Sequence, residues 1–464
     1  MTTEMRAYHF IGIGGAGMSV IASILAAAGH RVSGSDKVES KVLEDLRAQG
    51  IDAHAGHGKE DFPEDATVVL SSAIREDNPE LVTARQRQQT IVHRSQALAQ
   101  AAQGMRFVAV AGSHGKTTTS SMIAVTLLEC GMDPSLAIGG PVLGVGGGGR
   151  LGREVFVAEA DESDGSFLNY EPDIAVVTNI EPDHLDHFGT KEAFEKAFYD
   201  FAARLVPGGT LICCAEDKGA AELAVKVSAE RLVDRVLTYG HPEKSFTPPA
   251  IEIVSDSLGA QRAEVELNGK LGQASLHLQV TGAHNVLNAV GAWAACVALG
   301  LSPSEASEGL SGFVGAGRRF ELVGEAAHRR AYDDYAHHPA EVAAALRQAR
   351  LAAGDGKVVV VFQPHLYSRT VTFTEELASA LSLADEVVLA DIYGSREDPI
   401  EGVTSKLLVD SGSATKQFYY PGDAESAALL GASLTGEGDL CVLMGAGDIF
   451  LQTPKVVRYW AERA

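Results

Sequence analysis

The stretch AGSHGKTTTS, residues 111 to 120, concentrates more chemistry than any other in the chain. It follows an apolar run, Arg106 to Ala111, that reads as a strand, and it opens a helical pattern. Gly112 and Gly115, with Ser113 and His114 between them, let backbone N–H groups approach phosphate oxygens, and the helix start adds a favourable dipole. Lys116 would reach terminal phosphates, and the hydroxyl of Thr117, which Thr118 follows, can ligate Mg²⁺. The spacing is shorter than in the usual phosphate loop, because Gly112 stands three residues before Gly115 and Val110 fills the position of the first glycine. An ordinary strand-to-helix turn would leave Lys116 and its hydroxyl neighbours without a use, so phosphate binding is expected here.

A second glycine turn, GIGGAG at residues 12 to 17, fits G-x-G-x-x-G, and Asp36 lies at the end of the next strand pattern. Such a turn suits a pyrophosphate, whether of NAD, FAD or a UDP-sugar, and tight packing without a ligand is the plain alternative. The phosphate turn elsewhere in the chain argues against a dehydrogenase. EADESD (159 to 164) and TNIEPDHLDHF (178 to 188) each follow an apolar strand, so Thr117, Glu159 and His184 can converge on a metal bound to nucleotide. The remaining acids Asp161, Glu162 and Asp164 read as solvated loop charges or helix caps. GAHNVLNAVGAW (282 to 293) places the amides of Asn285 and Asn288 one helical turn apart, near His284, where they can read an adenine edge or cap the helix. GRRFE (317 to 321) offers Arg318 and Arg319, suited to phosphate or to a solvated face. DDYAHHPAEV, FQPHLYSRT and DIYGSREDPIEGVTS bring His337, His338, His365 and Arg369 to strand ends. Arg369 can pair a small carboxylate, and a histidine can accept a proton from an ammonium nucleophile. Neither a nucleophile elbow nor zinc spacing is visible, which disfavours a hydrolase.

These residues need strand ends to stand on, and the chain supplies them in three segments of alternating apolar runs and amphipathic stretches, the pattern of parallel-sheet α/β domains. Strands are expected at Tyr8 to Ile13, His30 to Ser35, Thr67 to Ser71, Val155 to Ala160, Ile174 to Thr178, Val358 to Gln363, Glu386 to Asp391 and Leu440 to Met444. An accessory β-rich stretch runs from Ile251 to Val280, and domain boundaries are placed near 103 and 314. GVGGGG, residues 144 to 149, reads as a flexible loop, and no fixed-period repeat is present. Across 464 residues, 38 Lys plus Arg face 61 Asp plus Glu, a net charge of −23 that would repel nucleic-acid backbones and anionic lipid. No signal peptide or membrane-length apolar run is evident, and five scattered cysteines read as reduced core residues of a cytoplasmic protein.

Together the motifs resemble the Mur ligase family, the ATP-dependent amino-acid ligases of bacterial peptidoglycan precursor synthesis. GIGGAGMS, AGSHGKTTT, AEADESDGSF, TNIEPDHLDHF, GAHNVLNA, GRRFE, YAHHPAEV, FQPHLYSRT and DIY…RE…PIEGVTS stand in that order over essentially the whole chain. The resemblance implies an α/β chain with a Rossmann-like UDP-sugar domain (1–103), a central P-loop-type ATP domain with a mostly parallel sheet and accessory strands (104–314), and a C-terminal Rossmann-like domain (315–464) that closes over the site and admits the amino acid. It looks most like the branch that joins L-alanine to the lactyl carboxylate of UDP-N-acetylmuramate through an acyl phosphate, as a monomer or weak homodimer.

By position, the resemblance puts Lys116 on the γ-phosphate, with Gly112, Ser113, His114, Gly115, Thr117, Thr118, Asn285, Asn288 and Arg319 around ATP. Thr117, Glu159 and His184 would hold Mg²⁺, and His338, His365 and Arg369 would line the L-alanine region. Lys116, His184, His338, His365 and Arg369 form the implied catalytic set. Gly12, Gly14, Gly15, Ala16, Gly17, Met18 and Ser19, with Asp36 and Ser71, would face the UDP-sugar. Leu366 stands where many relatives carry arginine, and Gly394-Ser395 where Pro-Ala is common. Sister ligases carry a carbamylated lysine with no counterpart here, since Lys191 and Lys196 read as helix-surface residues. The nearest rival is the tripeptide-recycling ligase of the same family, which the EADESD and EPDHLD wordings disfavour. Folylpolyglutamate synthase lacks the first glycine turn, an NAD-dependent dehydrogenase leaves the phosphate turn idle, and a nucleotide-sensing module has no need of the C-terminal His and Arg residues.

Overall fold

The computed structural model describes residues 5–58, 63–182, 185–395, 397–412 and 417–463. The chain divides into two compact units, one of residues 1–256, 265–277 and 287–313, the other of residues 257–264, 278–286 and 314–464. Among the described residues, no helix is long and apolar enough to cross a membrane.

The first unit carries a five-stranded parallel sheet and most of a ten-stranded one. In the smaller sheet, the opening strand Ala7–Ile11 lies between Arg31–Asp36 and Thr67–Leu70, with Asp52–Ala55 and Ile91–His93 at the edges. This is the doubly wound order, whose switch point leaves a crevice at the C-terminal strand ends. The opening strand stops two residues before the apolar run does, because the N–H groups of Gly12 and Ile13 both turn to Ser35 O (2.8 and 2.9 Å). The helix Ala16–Ala27 buries Met18, Ile21, Ile24 and Leu25 at helical spacing, which fixes where the glycine turn points.

In the larger sheet, Arg106–Ala111 is flanked by Val155–Glu159 and Ile174–Val177, all parallel. These strands are buried on both faces, which is why they read as continuous apolar runs and not as alternation. The accessory strands Ile251–Leu258, Ala263–Gly269 and Ala274–Leu278 extend one edge. The GVGGGG segment is open at Gly144, Gly146 and Gly147, where a Cβ would meet nothing within 4 Å. Its last two glycines permit close backbone packing: a Cβ on Gly148 would stand 2.0 Å from Ile138 O, and one on Gly149 would press on the backbone of Val20. The segment closes on the short strand Gly149–Arg150.

The second unit is built on a six-stranded sheet, parallel except for its edge strand Glu321–Ala326. Along Val358–Phe362, Val358, Val360 and Phe362 enter one core, while Val359 and Val361 enter the core on the opposite face. Alternation across a covered sheet produces that split. Leu440–Met444 and Glu386–Ala390 flank this strand. Arg329–Asp334, too charged to read as a strand, pairs with Leu440–Met444 and delivers Asp333 and Asp334 to the C-terminal edge.

Candidate functional site

The phosphate turn joins Arg106–Ala111 to the helix Lys116–Glu129 and is fastened to the end of the neighbouring strand Ile174–Val177. The His114 N–H donates to Asn179 Oδ1 (2.8 Å), while Asn179 Nδ2 and Thr178 Oγ1 both donate to His114 O (2.9 and 2.5 Å). Ser113 Oγ donates to Glu181 O and accepts from the Glu181 N–H (2.7 and 3.0 Å). Gly112 has φ +141°, and a Cβ there would stand 2.1 Å from Thr178 Oγ1, so only glycine fits. Asn288 lies on the other side, its Oδ1 2.6 Å from where a Gly115 Cβ would be. The first N–H groups of the helix have no intrahelical partner and face the turn, the arrangement that receives a phosphate.

Lys116 Nζ donates to Gly112 O (2.5 Å), Ser113 O (3.3 Å) and both oxygens of Glu162 (2.9 and 2.8 Å). Burial alone would lower its pKa, but Glu162, Asp161 and Glu159 raise it, so the ammonium stays charged. Asp161 and Glu162 are therefore not solvated loop charges. Glu162 is 1% exposed against Lys116, and Asp161 accepts from Arg94 Nη2 at 2.5 Å. Against the effect of burial, the Arg94 guanidinium and the Lys116 ammonium hold Asp161 well below the usual carboxylate range. Asp164 does cap, accepting from the Ser166 N–H (3.0 Å), and it also takes the Ser72 hydroxyl (2.8 Å).

Thr117 and Thr118 are buried in the first turn of the helix. Glu159 pairs in register with Val110 across the sheet, and its Oε1 accepts from the Gly139 N–H (2.8 Å). Hydroxyl and carboxylate oxygens are the hard donors that magnesium on a nucleotide takes, so these residues fit the ion. His184, the third expected ligand, lies outside the described residues. Lys191 and Lys196 sit on a surface helix beside Glu195 and Asp200.

At the first glycine turn, Asp36 does not project outward but accepts from the Gly14 N–H (2.8 Å), holding the turn closed. Gly12, Gly15 and Ala16 complete the bend into the helix, Met18 is buried in the core, and Ser19 Oγ donates to Ala16 O (3.1 Å). Ser71 follows the strand Thr67–Leu70, and its carbonyl accepts from the Ile74 N–H. Arg94 Nη1 stands 3.1 Å from the position of a Gly17 Cβ, so its guanidinium lies over this turn while its other amino group binds Asp161. The sequence reading missed Arg94. Its signal was local: a cation opening the helix Arg94–Ala101 is out of place against the helix dipole unless something else holds it.

In the second unit, Glu341 gathers the N–H groups of His337 and His338 (3.2 and 3.3 Å) and stands 3.7 Å from Arg319. The His337 Nδ1–H donates to Tyr335 O (3.0 Å), and burial, helped by Arg369 and His365 and opposed by Glu341, pushes its pKa down to about 3. That ring is neutral at physiological pH. His338 opens the helix Pro339–Ala353. His365 meets His337 edge-on, centroids 5.6 Å apart, and stacks on Tyr393. Leu366, at φ +67°, turns the chain into the short helix Tyr367–Thr372 that carries Arg369. Gly394 packs on the Tyr367 ring, 2.8 Å from where its Cβ would lie, which accounts for a glycine there. Asn285 Nδ2 donates to Thr281 O (2.8 Å), which ties one side of its amide to its own helix start. Burial, with Arg319, pushes His284 down to about 4.

Three family models match in sequence order: the Mur ligase catalytic domain over residues 7–106, the Mur ligase middle domain over 149–296, and the Mur ligase glutamate ligase domain over 318–447. A UDP-N-acetylmuramate–L-alanine ligase of Paenarthrobacter aurescens is 49% identical over 453 residues, 97% of this chain and 96% of that protein. One of Kineococcus radiotolerans is 50% identical over 461 residues, 98% of this chain and 96% of that protein. The crystal structure of a UDP-N-acetylmuramate–alanine ligase from Thermotoga maritima superposes with a TM-score of 0.82 at 29% identity, covering 99% of this chain and all of that one. A murein peptide ligase from Psychrobacter arcticus shares the fold (TM-score 0.72, 98% of this chain and 99% of that one) at 23% identity.

Proposed function

The chain belongs to the Mur ligase family, and from that premise we propose that it joins L-alanine to the lactyl carboxylate of UDP-N-acetylmuramate, with ATP converted to ADP and phosphate. The observation that carries the reading is identity of 49–50% over 97–98% of the chain to proteins named for that reaction. Residues 1–103 would hold the sugar nucleotide, 104–314 the ATP, and 315–464 the amino acid, in the cytoplasm.

A carboxylate does not react with an amine at neutral pH, so the lactyl carboxylate first takes the γ-phosphoryl group and ADP leaves. Transfer of this kind is driven by positioning and charge neutralisation. Lys116 supplies a fixed cation at the terminal phosphate, and the helix N-terminus behind it supplies N–H donors. Asn288 would border the nucleotide beside Gly115, and the family reading also assigns Asn285 and Arg319 to ATP. Thr117 and Glu159 would hold magnesium, with His184 as third ligand, and the ion supplies further neutralisation of the phosphates. The L-alanine amine then attacks the acyl phosphate, forming the amide bond, expelling phosphate and losing its proton. Arg369 pairs the amino-acid carboxylate, while His338 and His365 border that region beside the neutral His337.

Phosphate release, measured with each substrate omitted in turn, tests the reading. Release is expected only when ATP, UDP-N-acetylmuramate and L-alanine are all present. Release driven by a tripeptide and not by L-alanine would overturn it.

A further inference from the structure

Lys116 has three N–H donors, and three partners take them: two carbonyls of its own turn and the carboxylate of Glu162. Glu162 comes from a different segment, the loop after Val155–Glu159, and its two oxygens approach Nζ as a phosphate's would. A buried ion pair of this kind seldom repays its desolvation in stability, so stability is a weak reason for it. The neighbouring Asp161 has its own cation in Arg94, which leaves Glu162 committed to Lys116. A terminal phosphate that takes Lys116 while the turn's two carbonyls keep their bonds enters where this carboxylate sits.

We propose that Glu162 is an internal stand-in for the terminal phosphate: a positioning residue that keeps Lys116 seated in its turn and is exchanged when a nucleoside triphosphate, but not a diphosphate, binds. The proposal rests on the ATP reading above. Glu162 opposes triphosphate binding selectively, because an ADP molecule has no γ-phosphate to compete for Lys116. It also recaptures Lys116 once the phosphoryl group has left, which favours departure of the products.

The test is titration of a non-hydrolysable ATP analogue and of ADP, each with Mg²⁺, into wild type, Glu162→Gln and Glu162→Asp, alongside steady-state kinetics. Glu162→Gln should raise the preference for triphosphate over diphosphate by roughly tenfold, the scale of one hydrogen bond to a charged group. It should lower KM for ATP together with kcat, a split that a purely structural role would not give. Glu162→Asp, with its carboxylate drawn back, should shift the preference in the same direction by less, and it decides the matter if the glutamine variant melts early. An unchanged preference, or equal weakening of both nucleotides, overturns the proposal. A wild type that binds neither nucleotide would instead overturn the ATP reading.

Discussion

Alanine at position 112 puts the geometry of the phosphate turn to a quantitative test. The new Cβ would stand 2.1 Å from Thr178 Oγ1 and 3.1 Å from both the N and O of Asn179, in a backbone at φ +141° that L-residues rarely adopt. Overpacking of this kind costs about 1–3 kcal/mol, and a residue held in a sparsely populated backbone region costs about 1–3 kcal/mol more. The sum, about 2–6 kcal/mol, lowers Tm by roughly 4–24 °C at the 2–4 °C per kcal/mol usual for a unit of a few hundred residues. Relief requires the turn and the Thr178–Asn179 segment to part by about 1 Å, a misplacement worth on the order of 10²-fold in turnover. The N–H and the C=O of His114 are both fastened to that segment, so the shift must move the backbone that would face the phosphates. Thermal unfolding with and without an ATP analogue, and kcat/KM for ATP, give the readouts. A Gly112→Ala variant that melts with wild type and keeps its kcat/KM would refute the claim that the turn is clamped against Thr178 and Asn179.

Lys116→Ala should abolish turnover while the sugar nucleotide still binds, as checked by phosphate release and by calorimetric titration of UDP-N-acetylmuramate. Arg94→Ala leaves Asp161 without its cation and removes a guanidinium from the first glycine turn, at about 1–3 kcal/mol in stability. It should raise KM for the sugar nucleotide more than KM for ATP, and an equal rise in both would count against it. In the second unit, burial raises Asp333 to about 7 and Asp334 to about 6, with Arg318 and Arg319 opposing. Both folded values lie above the unfolded one near 4, so the folded form holds more protons from pH 4 to 7. The stability these protons contribute is full below pH 4 and lost as pH rises through 6 and 7. Asp333→Asn removes that titration, so its Tm relative to wild type should climb between pH 5 and 8, and a constant difference would refute the assignment.

What the sequence disclosed follows from burial. Strands covered on both faces need apolar residues at every position, so Arg106–Ala111, Ile174–Val177 and Val358–Phe362 stand out as runs. Glycines at their ends mark the turns, because no other residue fits a backbone that must approach another chain segment or a phosphate. The partners of those turns were not legible. Arg94 and Asp161 are 67 residues apart, Lys116 and Glu162 are 46 apart, and His114 and Asn179 are 65 apart. Each acid or amide, taken alone, looks like ordinary loop polarity, and only the parallel sheet brings the ends of successive strands together. Gly148 and Gly149, which end the glycine run from Gly144, were not legible for the converse reason, since composition registers glycine without showing whether its freedom or its small size is in use.

The same pairs bear on how a chain of net charge −23 would take the two anionic nucleotides of the proposed reaction. Its general field repels them, so the attraction has to be local. Yet the local cations are not bare: Arg94 is held by Asp161 and Lys116 by the buried Glu162, at 2.5–2.9 Å. Each is thereby fixed in place before a ligand arrives, which spares the entropy of ordering a long side chain at the moment of binding. On the proposed reading, binding at these positions would be an exchange of one anion for another and not the capture of an anion by an exposed charge. Exchange within a buried pair is weakly screened, whereas capture by exposed lysines falls steeply with ionic strength. Selectivity follows from the same arrangement, because a ligand must offer an anion good enough to replace a carboxylate that is already well placed, and a phosphate with two oxygens facing the cation is such an anion.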